Sequence, residues 1–147
     1  MTRAVIILVA ALASVSAGAQ CTQAPTVEVF KSATCGCCSK WVEHLKAHGF
    51  SVRTTDTEAL DDLKAKHQIP RPVRSCHTAL VGGYVVEGHV PAADVQRLLK
   101  ERPAVAGIAV PGMPIGSPGM EVPGMKAHAF DVIAFTKQGT TRIFASH

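Results

Sequence analysis

Three cysteines fall within four positions in the stretch SATCGCCSKW, residues 32–41, and the flanking sequence constrains their setting tightly. Upstream, TVEVFKS alternates Val27 and Val29 with polar neighbours and then adds Phe30, the period of a β-strand. Downstream, between Cys38 and His48, Trp41, Val42 and Leu45 fall on one helical face, and Gly49 suits the C-cap. The cysteines are therefore predicted to occupy the turn from a strand into a helix N-terminus. Unpaired N–H groups and partial positive charge there stabilise a thiolate and lower its pKa. Cys35 and Cys38 form a C-x-x-C pair, and Cys37 is a third sulfur that ordinary dithiol exchange does not need. A thiolate is both a nucleophile and a metal ligand, so redox and metal chemistry stay open beside a plain structural disulfide with a spare thiol.

The rest of the chain extends this unit. FSVRTTD reads as a second strand, and TEALDDLKAKHQ carries Leu60 and Leu63 at helical spacing before Pro70. TALVGGYVVEG gives two strands around a Gly82-Gly83 turn. Pro91 opens a helix with Val95, Leu98 and Leu99 on one face and Pro103 as terminator. The order β-α-β-α-β-β-α is a thioredoxin-like α/β arrangement. Residues 104–128 are rich in Gly, Pro and Met without periodicity and read as a long loop, of the kind that is usually functional or disordered. AFDVIAF and TTRIFAS, joined by TKQG, read as a closing hairpin.

The N-terminus sets the expected compartment. Arg3, an apolar run from Ala4 to Ala13 and the A-x-A signal Ala17-Gly18-Ala19 read as a signal peptide over residues 1–19, cleaved after Ala19. The run is too short to span a bilayer. Gln20 before Cys21 argues against lipoprotein processing, which wants a small residue there. The expectation is a soluble exported protein of the bacterial periplasm, with a short lead at 20–25 and one domain over 26–147. That compartment is oxidising, and cysteines in it pair or bind metal. Of the five cysteines (21, 35, 37, 38 and 76), not all can pair within the chain. A net charge of +4 without a Lys/Arg cluster or interleaved aromatics gives nucleic-acid binding little support.

Further candidates lie along the chain. Cys76 and His77 immediately precede the third strand, whose entry loop lies opposite the C-x-x-C in thioredoxin-like folds; a disulfide to another cysteine and a surface histidine are the competing readings. His89, in EGHVPA, stands between a strand and the helix opened by Pro91, as a ligand, a supporting group or a cap. PGMPIGSPGMEVPGM repeats Pro-Gly-Met three times, placing Met113, Met120 and Met125 in a polar loop with no core to fill. Thioethers joined to thiolates make a soft donor set that favours Cu(I) over Zn(II), and adjacent sulfurs can bridge more than one ion. Packing of the loop onto the domain is the competing role for these methionines. His44 and His48 are one helical turn apart, but their face is mostly polar and reads as solvated.

Taken together, ATCGCCSKWVEHL, VRSCHTALVGGYVVEGHVPA and GIAVPGMPIGSPGME resemble the CopG-like family of exported copper proteins, formerly a domain of unknown function. The resemblance spans roughly residues 26–146. It implies a thioredoxin-like fold, copper binding through the C-x-C-C turn and a role in copper resistance, with Cu(I)/Cu(II) redox activity as a copper oxidoreductase. It points to Cys35, Cys37, Cys38 and Cys76 as metal ligands, joined by His77, His89, Met113 and Met120. Copper ions and other periplasmic copper-handling proteins are the implied partners, with no membrane contact after signal cleavage. A thiol–disulfide oxidoreductase using Cys35 and Cys38 is the alternative, and a structural zinc domain is a third reading that the excess of sulfur disfavours.

Overall fold

The computed structural model describes residues 25–147. The signal segment, its cleavage site and Cys21 lie outside the described residues. The strand before the cysteines is β1 (Val27–Lys31), and the helix they open is α1 (Gly36–Ala47). Then follow β2 (Val52–Asp56), α2 (Leu60–Lys66), a 3-10 turn at Arg71–Val73, β3 (Thr78–Val81) and β4 (Tyr84–Glu87). The chain closes with α3 (Ala92–Glu101), β5 (Gly107–Ala109), β6 (Asp131–Phe135) and β7 (Thr141–Ser146). The predicted order β-α-β-α-β-β-α and the final hairpin are all present.

The seven strands form one mixed sheet in the order β2-β1-β3-β4-β5-β6-β7. β1 pairs parallel with β2 and antiparallel with β3, while β3 and β4 form the hairpin at Gly82–Gly83. β5 runs parallel to β4 and joins the C-terminal hairpin to the sheet. Residues 107–109 thus depart from the long loop expected over 104–128. Three residues carry less than two periods of alternation, so no sequence periodicity can mark them; the exposed edge of β4 supplies their hydrogen-bond partners.

Burial follows the helical and strand periods. Cys38, Trp41, Val42 and Leu45 form the inner face of α1, and Val95 and Leu98 that of α3. Of these, Trp41, Val42, Leu45, Val95 and Leu98 pack with Val27, Val29, Ala79, Val81 and Val86 on one side of the sheet. A second cluster of Ile69, Val73, Val85, Ala109 and Phe135 lies on the other side. α2 belongs to that second side and holds an exception to its predicted pattern. Leu60 and Leu63 are only half-buried, and the buried side chain of the helix is Lys64.

Among the described residues no helix is long and apolar enough to cross a membrane.

Candidate metal centre

Cys35 is the residue before the first turn of α1, and its carbonyl accepts the Ser39 N–H, the first helical hydrogen bond. Cys35 and Cys38 are joined as a disulfide with Cα atoms 5.3 Å apart, one helical turn bringing positions i and i+3 together. Cys37 and Cys76 are free thiols, and Cys37 Sγ lies 3.6 Å from Cys35 Sγ.

Cys76 comes from the loop entering β3, yet its sulfur and those of Cys35, Cys37 and Cys38 all lie within 4.8 Å of one another. A second triad, Cys76, His77 and His89, meets the same limit, so Cys76 is the shared corner of two potential ligand sets. Its Sγ is 3.3 Å from His77 Nδ1 and 3.1 Å from His89 Nε2.

The backbone brings His89 across. Along β4 the side chains alternate, so Val86 faces the α1 side and Glu87 the α2 side. Two residues after Glu87, simple alternation would send position 89 to the α2 side as well. Gly88, at φ +72°, breaks the alternation, and His89 joins His77 instead, with ring centroids 5.0 Å apart. A Cβ on Gly88 would fall 2.5 Å from Ser75 Oγ and 2.7 Å from the Val110 carbonyl, so the conformation and the space both require glycine.

Hydrogen bonds then set the rings. The Pro118 carbonyl lies 2.8 Å from His89 Nδ1, which must donate to it, leaving the Nε2 lone pair directed at Cys76. Trp41 packs against His77 with ring centroids 4.4 Å apart and planes tilted by 41°, and donates its indole N–H to the Val90 carbonyl at 2.8 Å. Trp41 thus fixes both the His77 ring and the segment carrying His89.

Burial pushes the Cys76 thiol up to about 11, with the neighbouring Cys37 adding to the rise. His77 is held well below its usual value by burial first, then by His89 and Lys64. Burial also lowers His89, opposed by the Pro118 carbonyl and Glu121. The metal-free pocket therefore holds a protonated Cys76 beside neutral imidazoles. Buried His77 Nε2 has no hydrogen-bond partner. A cluster of protonated thiol, neutral imidazoles and one unsatisfied ring nitrogen suits a soft cation, which exchanges protons for metal–ligand bonds.

The methionine loop is tied to this cluster at two points. Ser75 Oγ donates to the Gly112 carbonyl beside Met113. At Gly119, beside Met120, φ is +85° and a Cβ would meet the Cys37 carbonyl at 2.8 Å and Trp41 N at 2.9 Å, so the loop backbone rests on the first turns of α1. Met120 is half-buried and Met113 is 52% exposed. Met125, in the third repeat, is 53% exposed in a stretch that is exposed throughout.

Other histidines stand apart. His44 is half-buried, and its Nε2 accepts the Ala92 N–H at 3.1 Å, capping α3. The expected solvated His44/His48 face holds only for His48. Sequence reasoning missed the tautomer-fixing Pro118 carbonyl and the supporting roles of Trp41 and Gly88. Of these only the glycine, interrupting an otherwise strand-like run, carried a local signal.

Residues 73–120 match a family model described as "Protein of unknown function, DUF411". No curated protein matches the chain significantly. Two solved structures do, those of the copper resistance protein copG in Form 1 and Form 2. Each is 41% identical, covers 84% of this chain and 98% of its own, and superposes with a TM-score of 0.79.

Proposed function

This chain belongs to the CopG family of copper resistance proteins, and from that premise we propose that it binds copper in the periplasm, holding Cu(I) through the C-x-C-C turn and Cys76. The observation that carries the reading is the convergence of three sulfurs and two imidazoles on Cys76. Thiolates hold Cu(I), and imidazole accepts both Cu(I) and Cu(II), so His77 and His89 give the site a means of visiting both states. The bound copper would supply one-electron redox chemistry. The chain's own residues deliver the thiolates, fix the ring tautomers and exclude water. Met113 and Met120 are proposed as thioether donors from the covering loop, since Gly112 and Gly119 beside them are fastened to the site. The helix-borne C-x-x-C and the β2-β1-β3-β4 order support a thioredoxin-like assignment for the core. The apolar run and A-x-A signal support export, and other periplasmic copper-handling proteins are the proposed donors or acceptors.

With the Cys35–Cys38 disulfide closed, only Cys37 and Cys76 offer free thiols among the described residues. Full loading then requires two electrons and two protons to open the disulfide to thiols, which lose their protons as Cu(I) binds. The same disulfide supports a second reading, a thiol–disulfide oxidoreductase acting on protein substrates.

Anaerobic Cu(I) titration against a competing chelator, on the reduced chain and on Cys37→Ser, separates the two. The copper reading expects tight binding that Cys37→Ser weakens. Unchanged affinity and stoichiometry, together with strong disulfide reductase activity, would sink it.

A further inference from the structure

We infer that the buried Lys64–Glu87 ion pair is the positioning device for the Cys76–His77 arm of the centre, acting from the opposite face of the sheet. The inference rests on the copper reading for its purpose but not for its geometry. Lys64 is 4% exposed and Glu87 fully buried. A buried ion pair contributes little net stability, because desolvation offsets the attraction, and apolar replacements are often neutral or better. What singles out this pair is where its remaining hydrogen bonds go.

Ser75 N–H donates to Glu87 Oε1 at 2.7 Å, and Thr78 Oγ1 donates to Oε2 at 2.7 Å. Lys64 Nζ donates to Oε1 and also to Thr78 Oγ1, the latter at 2.9 Å. One carboxylate thus grips the residue before Cys76 and the residue after His77. The next residue, Gly88, donates its N–H to the His77 carbonyl at 3.0 Å, and His89 follows. Ser75 in turn holds the Gly112 carbonyl, so the grip extends to the methionine loop. Strand alternation explains the division of labour. His77 faces the α1 side against Trp41, and Thr78 faces the α2 side against the ion pair. No side chain of the pair need enter the metal site to set where Cys76 and His77 stand.

The test uses Glu87→Gln, Glu87→Asp and Thr78→Val in the mature chain. Two readouts need no metal: the rate of Cys76 alkylation by iodoacetamide, followed by peptide mass spectrometry, and the ring-nitrogen NMR shifts of His77 and His89. A third is the copper–nitrogen contribution to the X-ray absorption spectrum after anaerobic Cu(I) loading. Glu87→Gln is expected to speed Cys76 alkylation, to shift the His77 ring signals, and to weaken the nitrogen-ligated copper about 10-fold, the usual order for losing a group that orients a ligand. Thiolate-bound copper at Cys35, Cys37 and Cys38 is expected to remain, and Glu87→Asp to recover part of the loss. Wild-type alkylation rate, ring shifts and nitrogen scattering in a folded Glu87→Gln protein would overturn the inference. Should that variant fail to fold, Thr78→Val decides, because it removes two of the contacts and leaves the ion pair intact; unchanged Cys76 reactivity there is equally fatal. If the wild-type chain binds no Cu(I), the copper reading falls while the two metal-free readouts still judge the positioning claim.

Discussion

Cys76 Sγ stands 3.1 Å from His89 Nε2, and the other ring nitrogen of His89 is tied to the Pro118 carbonyl. A sulfur from the loop entering β3, a ring from just beyond β4 and a carbonyl from the methionine loop are thereby locked in one chain of contacts. Cys76 is also the atom shared with the α1 sulfurs. Replacing Cys76 with Ser is therefore expected to lower Cu(I) capacity more than replacing His89 with Ala, since only the former severs both proposed ligand sets. Equal losses in anaerobic titrations of the two variants would contradict the shared-corner role.

The Cys76 thiol, raised from the ordinary 9.0 to about 11 by burial and by Cys37, is protonated at neutral pH. Its alkylation in the metal-free protein is expected to keep accelerating well above pH 9, because the thiolate is the reacting form. A rate that levels off near pH 9 would show that the thiol is not buried as described.

Stability of the metal-free protein is expected to fall on acidification. His77 and His89 have folded values depressed below 6.5, mainly by burial. Above pH 6.5 both folded and unfolded chains hold them neutral. Below it the unfolded chain takes up protons that the folded chain refuses, so stability present above 6.5 is lost as pH falls toward the folded values. The slope is at most about 1.4 kcal/mol per pH unit for each histidine. Urea unfolding at pH 7.5 and 5.5 measures it, and His77→Gln should flatten the dependence. A pH-independent midpoint would refute neutral burial.

Gly119→Ala is expected to unseat the methionine loop. The added methyl meets two backbone atoms of α1, the Cys37 carbonyl and Trp41 N, at a φ that alanine rarely adopts. A destabilisation of about 1–3 kcal/mol should follow, typical of a residue forced into a sparsely populated backbone region. Loss of the Pro118 contact should also shift the His89 ring signals. The double variant Met113→Ala, Met120→Ala should weaken Cu(I) binding without that destabilisation, and Met125→Ala should change neither. Unchanged affinity in the double variant would return both methionines to packing.

The sequence made the C-x-C-C turn, the three helices and the Gly82–Gly83 hairpin legible because each carries a local period or a turn residue. The inner face of α1, read from Trp41, Val42 and Leu45, is the observed one. β5 was hidden because Gly107–Ala109 are too few to show alternation. Lys64 was hidden for a different reason. Its burial depends on Glu87, 23 residues later and on another element, and a lysine in a polar helix looks like any solvated lysine. His89 could be named as a candidate but not placed. Its position follows from the backbone reversal at Gly88, not from the period of the strand.

That reversal, the two-residue turn and the strict alternation along β3 and β4 make the stretch from Ser75 to His89 intolerant of changes in length. A single insertion or deletion between Thr78 and Val86 would exchange the two faces of one strand relative to its partner. His77 or His89 would then be delivered among the side chains that now surround the ion pair. Substitutions within this stretch can be graded by size and charge, but its residue count has no such latitude. The exposed run from Val122 to Lys126 makes only a local turn hydrogen bond, from Met125 N–H to the Val122 carbonyl, and meets no comparable constraint. Length variants of the protein should therefore be viable in that run and fail in the hairpin, which makes the hairpin a poor place, and residues 122–126 a good one, to insert a reporter tag.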